Sequence, residues 1–99
     1  MAKEKTDSTA ELEILTPDDK FYSGEVEMLS IKLNSGFEGY MRGHIFCRKL
    51  LAEDGMALIR EKDAPSGEAG LKKVKLQGGF VEIRDDVFTV YAEAAEYVD

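Results

Sequence analysis

His44 and Cys47 are the two residues of this chain whose side chains most suggest catalysis, and they are three positions apart. A cysteine nucleophile needs an imidazole within hydrogen-bond reach and a third group that orients the imidazole. On a strand, residues three apart point to opposite faces, which separates the two side chains. A buried structural cysteine beside a surface histidine is the more common arrangement. The pair therefore does not predict an enzyme.

Three glycines, Gly36, Gly39 and Gly43, resemble a phosphate-binding loop only loosely. Such a loop needs consecutive backbone amides at a helix N-terminus, followed by Lys, Ser or Thr. Here a histidine and apolar residues follow, and no helix is predicted. We therefore expect these glycines to serve tight chain reversals.

The acidic pairs Asp18-Asp19 and Asp85-Asp86 lie in predicted turns, where aspartate is favoured because it hydrogen-bonds the local backbone. One histidine, one cysteine and scattered carboxylates do not form a spaced set of metal ligands. We expect no catalytic residue, no metal site and no cofactor.

The composition predicts one soluble, cytosolic domain. The chain has 99 residues, a net charge of −7 and a single cysteine, which cannot form an internal disulfide. An acidic chain does not suit the phosphates of nucleic acid or the surface of anionic lipid. No apolar run approaches the length of a membrane span, and the polar N-terminus is not a signal peptide. Any membrane association is therefore expected to be through another protein.

The clearest structural pattern is a hairpin near the end of the chain. If Asp85-Asp86 is a two-residue turn, Arg84 pairs with Val87, Ile83 with Phe88, and Val81 with Val90. Side chains alternate along a strand, so one face is apolar. We expect Ile31, Val81, Ile83, Phe88 and Val90 to be core residues.

The long segment from Lys20 to Leu33 changes phase. Val26 and Met28 lie in one phase, whereas Leu29, Ile31 and Leu33 lie in the other. This change predicts either a β-bulge or a strand that bends from one sheet to another. Short apolar segments at spacings near ten residues, without an amphipathic helix, predict an all-β sandwich or barrel.

The predicted organisation is a disordered lead over residues 1–9, a sandwich domain over 10–95 and a tail over 96–99. Residues 34–43 are expected to be a loop or very short strands, and residues 64–70 a hairpin loop. The secondary structure of residues 45–51 stays open. Ala92 to Tyr97 has the composition to begin a helix, although two turns alone would be unstable.

Two segments resemble a known family. The first begins Gln77-Gly78-Gly79, continues through the hairpin and ends Ala92-Glu93-Ala94-Ala95; the second contains Thr16-Pro17 and then Phe21-Tyr22-Ser23-Gly24-Glu25-Val26-Glu27. Their order and separation resemble the N-terminal β-sandwich domain of the epsilon subunit of F-type ATP synthases. The resemblance extends over Glu11 to about Arg60 and over Lys72 to Ala95.

The resemblance implies an all-β sandwich of about ten short strands at the foot of the rotor stalk. Such a domain does no chemistry; it binds the gamma subunit and the ring of c subunits, and couples ring rotation to ATP synthesis. It would be cytoplasmic, held at the inner face of the plasma membrane by the synthase complex. Because the chain ends just after the sandwich, we expect it to lack the inhibitory C-terminal helices of longer family members.

The family loop Gly-Glu-Leu-Gly-hydrophobic-x-Pro-Gly-His-x-Pro matches this chain at Gly36, Gly39, Gly43 and His44. The resemblance gives His44 a gamma contact; the alternative is a histidine satisfied at the sandwich surface. The family acidic residue that faces the ring is replaced by Phe37, and the two family prolines are replaced by Arg42 and Phe46. Exposed Phe37, Tyr40 and Met41 could form an apolar contact patch instead. The expected partner-binding residues are Phe37, Glu38, Tyr40, Met41, Arg42 and His44.

This altered loop also leaves open a second function. The chain could be a stand-alone sandwich that diverged from the epsilon family and was recruited to another partner.

Overall fold

A computed structural model describes residues 9–98 and shows an all-β fold, as the sequence predicts. The described residues form nine strands and one short 3-10 helix, Glu68–Gly70, where the sequence predicts about ten strands. The strands are β1 Ala10–Thr16, β2 Asp19–Leu33, β3 Gly36–Tyr40, β4 Cys47–Leu50, β5 Gly55–Glu61, β6 Leu71–Gln77, β7 Phe80–Arg84, β8 Val87–Tyr91 and β9 Ala94–Val98.

One continuous sheet forms both layers of the sandwich, in the order β4-β7-β8-β1-β2-β5-β6-β9, with β3 paired to β2. The first part of β2 pairs with β1, and its later part pairs with β3 and β5. The sheet therefore folds over along β2. Buried side chains from β1, β7 and β8 join those from β2, β5 and β6 in one core cluster, so the two halves pack face to face.

The phase change in β2 is a β-bulge, which confirms the first of the two expectations for this segment. In the ladder with β5, Val26 pairs with Glu61 and Met28 with Arg60, so Glu27 has no opposite residue. The extra residue switches the phase of burial: Val26 precedes the bulge and Leu29 follows it, and both are fully buried.

The terminal hairpin has the predicted register. Arg84 pairs with Val87 and Ile83 with Phe88 across the Asp85-Asp86 turn. The four predicted apolar residues of the hairpin are fully buried, as is Ile31. On the opposite face, Phe80 and Tyr91 stack with ring centroids 4.7 Å apart.

The expectation of a helix starting near Ala92 is wrong, because residues 94–98 form strand β9. Strand β9 pairs with β6 from Gln77↔Ala94 to Lys73↔Val98, and the predicted tail from residue 96 onwards therefore overlaps a strand. The edge of β6 supplies backbone hydrogen bonds, which outweighs the weak helix preference of so short a segment.

At the other end, residues 1–8 of the predicted disordered lead lie outside the described residues, as does residue 99. Thr9 belongs to the fold, because its side chain is buried and its hydroxyl donates to Glu25 Oε2 at 2.6 Å.

The structure also shows the conformation of the segments 34–43, 45–51 and 64–70. Residues 36–40 form the short strand β3, and residues 47–50 form β4, which pairs with β7 at the edge of the sheet. The loop over 64–70 contains the 3-10 helix, and Arg60 donates to the carbonyl oxygens of Pro65 and Gly67. In residues 9–98 no helix is long and apolar enough to cross a membrane.

The turn from β6 to β7 depends on Gly79. Its φ is 105°, a conformation that favours glycine, and a Cβ there would overlap the carbonyl oxygen of Tyr91. Its own carbonyl accepts a hydrogen bond from the Leu51 amide at 3.1 Å, which ties β7 to the segment after β4. Gly36 has a similar φ of 116°, but a Cβ there would meet no atom within 4 Å.

We predict that Gly79→Ala lowers the free energy of unfolding by more than about 3 kcal/mol, because backbone strain and overlap add. Gly36→Ala is the matched control and should cost only about 1–2 kcal/mol, from strain alone. Urea unfolding followed by circular dichroism measures both. Equal losses for the two variants would contradict the packing role assigned to Gly79.

Candidate partner-binding surface

The predicted binding residues lie on β3 and on the loop from β3 to β4, and backbone hydrogen bonds at Gly43 and His44 hold that loop. Gly43 has a φ of 95°, and its amide donates to the carbonyl oxygen of Asp85 at 2.8 Å. The His44 amide donates to the carbonyl oxygen of Met41 at 3.2 Å. The loop between β3 and β4 is therefore attached to the β7–β8 turn, and strands from both halves of the sheet position it.

Tyr40 is a core residue, so the expectation that it forms an exposed patch with Phe37 and Met41 is wrong. Its side chain is fully buried, and its ring lies 6.5 Å from the ring of Phe88 on the other half of the sheet. The reason is register: Tyr40 pairs with Leu29, which also faces the core. The phase of β2 beyond its bulge is the sequence signal that identifies Tyr40 as buried.

Glu38 lies on the same face of β3 as Tyr40 and joins β3 to β4. Its Oε1 accepts a hydrogen bond from the Tyr40 hydroxyl at 2.7 Å and lies 3.7 Å from Lys49 Nζ. The Tyr40 hydrogen bond, with a smaller contribution from Lys49, lowers the pKa of Glu38. Burial and the bond to Glu38 raise the pKa of Tyr40, with a further contribution from Cys47. Glu38 therefore makes contacts within the domain, and its side chain remains 43% exposed.

His44 is half-buried beside Tyr40. The two rings meet edge to face with centroids 5.0 Å apart. The Nδ1 of His44 lies 2.8 Å from the carbonyl oxygen of Ile45, an acceptor, so Nδ1 carries the proton in this contact. The Cys47 side chain lies against Tyr40, on the core side of β4. His44 and Cys47 thus both pack against Tyr40.

Most of the large exposed apolar side chains of residues 9–98 lie between positions 37 and 50. Phe37 and Met41, which the sequence identifies, are 53% and 57% exposed. Sequence reasoning missed three more, of which Ile45 and Leu50 are 79% and 75% exposed. We call these residues the apolar rim: Phe37, Met41, Ile45, Phe46 and Leu50. Met41 lies near Met28 and Arg60, beside β2 and β5, whereas Leu50 pairs with Phe80 across β4 and β7. Arg42 lies within the rim and is half-buried.

A second feature continues from the rim across the outer face of β4 and β7. Arg48 Nη2 and Arg84 Nη2 both contact Glu82 Oε2, at 3.0 Å and 3.2 Å. The Arg48 guanidinium lies 5.5 Å from the centre of the Phe80 ring, and that of Arg84 lies 5.1 Å from the centre of the Phe46 ring. We call these five residues the arginine ladder. Alternation along β7 places Glu82 and Arg84 on the face opposite Val81 and Ile83, and the pairing Arg48↔Glu82 brings Arg48 beside them. The sequence analysis does not identify Arg48.

The ladder holds the Glu82 carboxylate charged. The side chain is only 11% exposed, and the hydrogen bond from Arg48, followed by the charge of Arg84, lowers its pKa. A buried carboxylate is tolerated only when it is paired and hydrogen-bonded.

Beyond Tyr91, which stacks on Phe80, lies an apolar groove of about 330 Å³ lined by Leu15, Thr16, Pro17, Gly79, Tyr91, Ala92 and Glu93.

Comparison with known proteins explains the fold. Residues 9–98 match the family model described as the ATP synthase delta/epsilon chain, beta-sandwich domain. The chain belongs to this family. It is 36% identical over 91 residues to the ATP synthase epsilon chain of Bacillus pumilus and 39% identical over 88 residues to that of Priestia megaterium.

These matches cover 92% and 89% of this chain but 64% and 60% of the two relatives, so it spans less than two thirds of their length. Among solved structures, it is similar to a chain of the Euglena gracilis mitochondrial ATP synthase (OSCP/F1/c-ring), with a TM-score of 0.79 and 18% identity. That match covers 99% of this chain and 61% of the other.

A second similar structure is the central stalk and c-ring of the Tetrahymena thermophila mitochondrial ATP synthase, with a TM-score of 0.68 and 15% identity, covering 95% and 69% of the two chains. The family and fold that the sequence resemblance implies are therefore confirmed. Among residues 9–98, no group of three or more His, Cys, Asp or Glu is arranged to hold a metal ion.

We predict that Tyr40→Ala lowers the free energy of unfolding of this epsilon-family domain by about 3–5 kcal/mol, because it leaves a cavity in the core. Phe37→Ala, on the same strand but 53% exposed, is the control and should change it by less than about 1 kcal/mol. Chemical unfolding of both variants measures the difference. If Tyr40→Ala leaves the free energy of unfolding nearly unchanged, Tyr40 is not a core residue.

We also predict that the stabilising effect of Glu82 disappears in acid. Its pKa in the folded state is lowered, so its contribution is present above the unfolded pKa, near 4.5, and is lost as the pH falls through the folded value. Unfolding of the original chain and of Glu82→Gln, measured from pH 7 to pH 3, should show a difference in stability at neutral pH that closes in acid. A difference independent of pH would refute the charge-based explanation.

Proposed function

We propose that this chain is a non-catalytic central-stalk subunit of a rotary F-type ATP synthase. It would bind the gamma subunit and the c-ring and transmit ring rotation to the head where ATP is made. The observation that carries the proposal is the match of residues 9–98 to the delta/epsilon sandwich family, together with a concentrated exposed apolar surface on that sandwich. The complex would hold it at the cytoplasmic face of the plasma membrane.

The apolar rim supports a protein-binding role. Large exposed apolar side chains grouped in one part of a protein mark candidate interaction sites. The rim adjoins arginines that are stacked on aromatic rings, and aromatic residues and arginine are the types enriched at interface hot spots. We assign the gamma contact to Ile45, Phe46, Leu50 and the adjoining face of β4 and β7.

The remaining predicted residues divide by their packing. Phe37 and Met41 are available to a partner, and we propose Phe37, at the β2–β3 hairpin, for the contact with the c-ring. His44 and Arg42 are half-buried and would lie at the border of the contact. Tyr40 would support the loop from the core, and Glu38 would support it through its contacts with Tyr40 and Lys49.

The test is a pull-down of tagged chain from its native membranes, with bound proteins identified by mass spectrometry. Near-equal recovery of gamma, alpha, beta and c subunits supports the proposal. Recovery of an unrelated partner without synthase subunits would instead support the stand-alone binding module that diverged from the family.

We predict that Leu50→Ser weakens binding to the gamma subunit about five- to thirtyfold, because a hot-spot truncation costs about 1–2 kcal/mol. Val98→Ser is the matched control: Val98 is 37% exposed on β9, at the far end of the sheet order from β4. Calorimetric titration of both variants against purified alpha–beta–gamma subcomplex measures the effect. Equal affinities for the two variants would remove the apolar rim from the interface.

A further inference from the structure

The arginine ladder has an excess of positive charge. Arg48 and Arg84 share the single carboxylate of Glu82, so two positive charges and one negative charge leave one positive charge. The chain as a whole has a net charge of −7. A local positive excess on an acidic protein is a distinct electrostatic feature, and complementary potentials determine which partner surface fits.

Both guanidinium groups are held in place yet remain accessible. Each lies over an aromatic ring, Phe80 for Arg48 and Phe46 for Arg84, and each contacts Glu82 through Nη2. A guanidinium has five N–H donors, so the contact with Glu82 uses a small part of its capacity. The side chains of Arg48 and Arg84 are 61% and 62% exposed. Their donors are therefore oriented before any partner arrives, which lowers the entropy cost of a contact.

The residues directly opposite the ladder on β8 are uncharged, and the acidic residues Glu11 and Glu13 lie one strand farther away on β1, where they pair with Val87 and Thr89. Across β8, Glu82 pairs with Thr89 and Arg84 with Val87, neither of which is charged. The acidic residues Asp85 and Asp86 lie in the turn beyond Arg84, at one end of the ladder. At the other end, Leu50 pairs with Phe80 and is 75% exposed. The surface thus places paired guanidiniums directly beside an apolar platform.

We propose that the Arg48–Glu82–Arg84 triad binds an aspartate or glutamate carboxylate of the partner subunit. An apolar side chain next to that acidic residue would pack on Leu50 and Phe80. The inference rests on the proposed function, so the partner is the gamma subunit. A carboxylate on a protein surface satisfies both halves of the site, because arginine recognises carboxylates through paired donors and the platform requires a neighbouring apolar group.

The experiment titrates the full chain into purified alpha–beta–gamma subcomplex by calorimetry. Arg48→Gln and Arg84→Gln should each weaken binding about tenfold or more, as expected for loss of a charge-assisted hydrogen bond. Lys73→Gln is the control. Lys73 lies on β6 and pairs with Glu68, and its replacement should leave the affinity within about twofold.

Glu82→Gln separates binding from a purely structural role. This variant removes the carboxylate that both arginines share but keeps the arginines and the rings beneath them, so a carboxylate contact predicts a smaller loss of affinity than either arginine variant shows. A structural role predicts weakening that matches the arginine variants. Combining Arg48→Glu with single acidic-to-lysine replacements on the gamma surface should restore binding at one position and identify the partner carboxylate.

The outcomes distinguish the two proposals. If the original chain binds, and Arg48→Gln and Arg84→Gln bind as tightly as the original chain, the carboxylate contact is overturned and the proposed function stands. Weakening by Glu82→Gln to the level of the arginine variants also overturns the contact. If the original chain does not bind the subcomplex, the proposed function fails and the carboxylate contact fails with it.

Discussion

The fold depends on the bulge at Glu27. One strand must serve two layers, and side chains of a regular strand alternate strictly between its faces. Val26 and Leu29 are three positions apart, so a regular strand would expose one of them, yet both are fully buried. The extra residue in the ladder with β5 resolves this conflict by switching the phase. The same switch sets the register of β3, which decides that Tyr40 packs inside and Phe37 outside.

The binding surface is a consequence of this arrangement. The sheet order ends at β4, which lies beside β7 on one half, while β3 leaves β2 on the other half. The loop between β3 and β4 must therefore cross from one half to the other, and the Glu38–Lys49 pair and the Gly43–Asp85 hydrogen bond connect the two sides of that crossing. The apolar residues Met41, Ile45 and Phe46 of this crossing lie outside the core. They remain exposed, and the exposed rim is available to another protein.

The sequence predicts those parts of the fold in which local pattern and tertiary environment agree. The β7–β8 hairpin combines a two-residue turn with clean alternation, so its register follows from local rules. Strand β9 does not follow from local rules. The segment after Ala92 becomes a strand because it pairs with the edge of β6, and no local sequence pattern predicts that pairing. The exposure of Leu50 could not be predicted either, since an apolar residue next to charged ones does not show which side of an edge strand is covered.

The arginine ladder also contributes to the restraint of the loop between β3 and β4. The family pattern places prolines where this chain has Arg42 and Phe46, and proline restricts a loop by fixing φ. Here hydrogen bonds from the Gly43 and His44 amides restrain the loop instead, and the Phe46 ring lies against the Arg84 guanidinium. A proline at position 46 has no aromatic ring to contribute to that contact. The loop is therefore restrained both by its backbone hydrogen bonds and by the contact of Phe46 with Arg84.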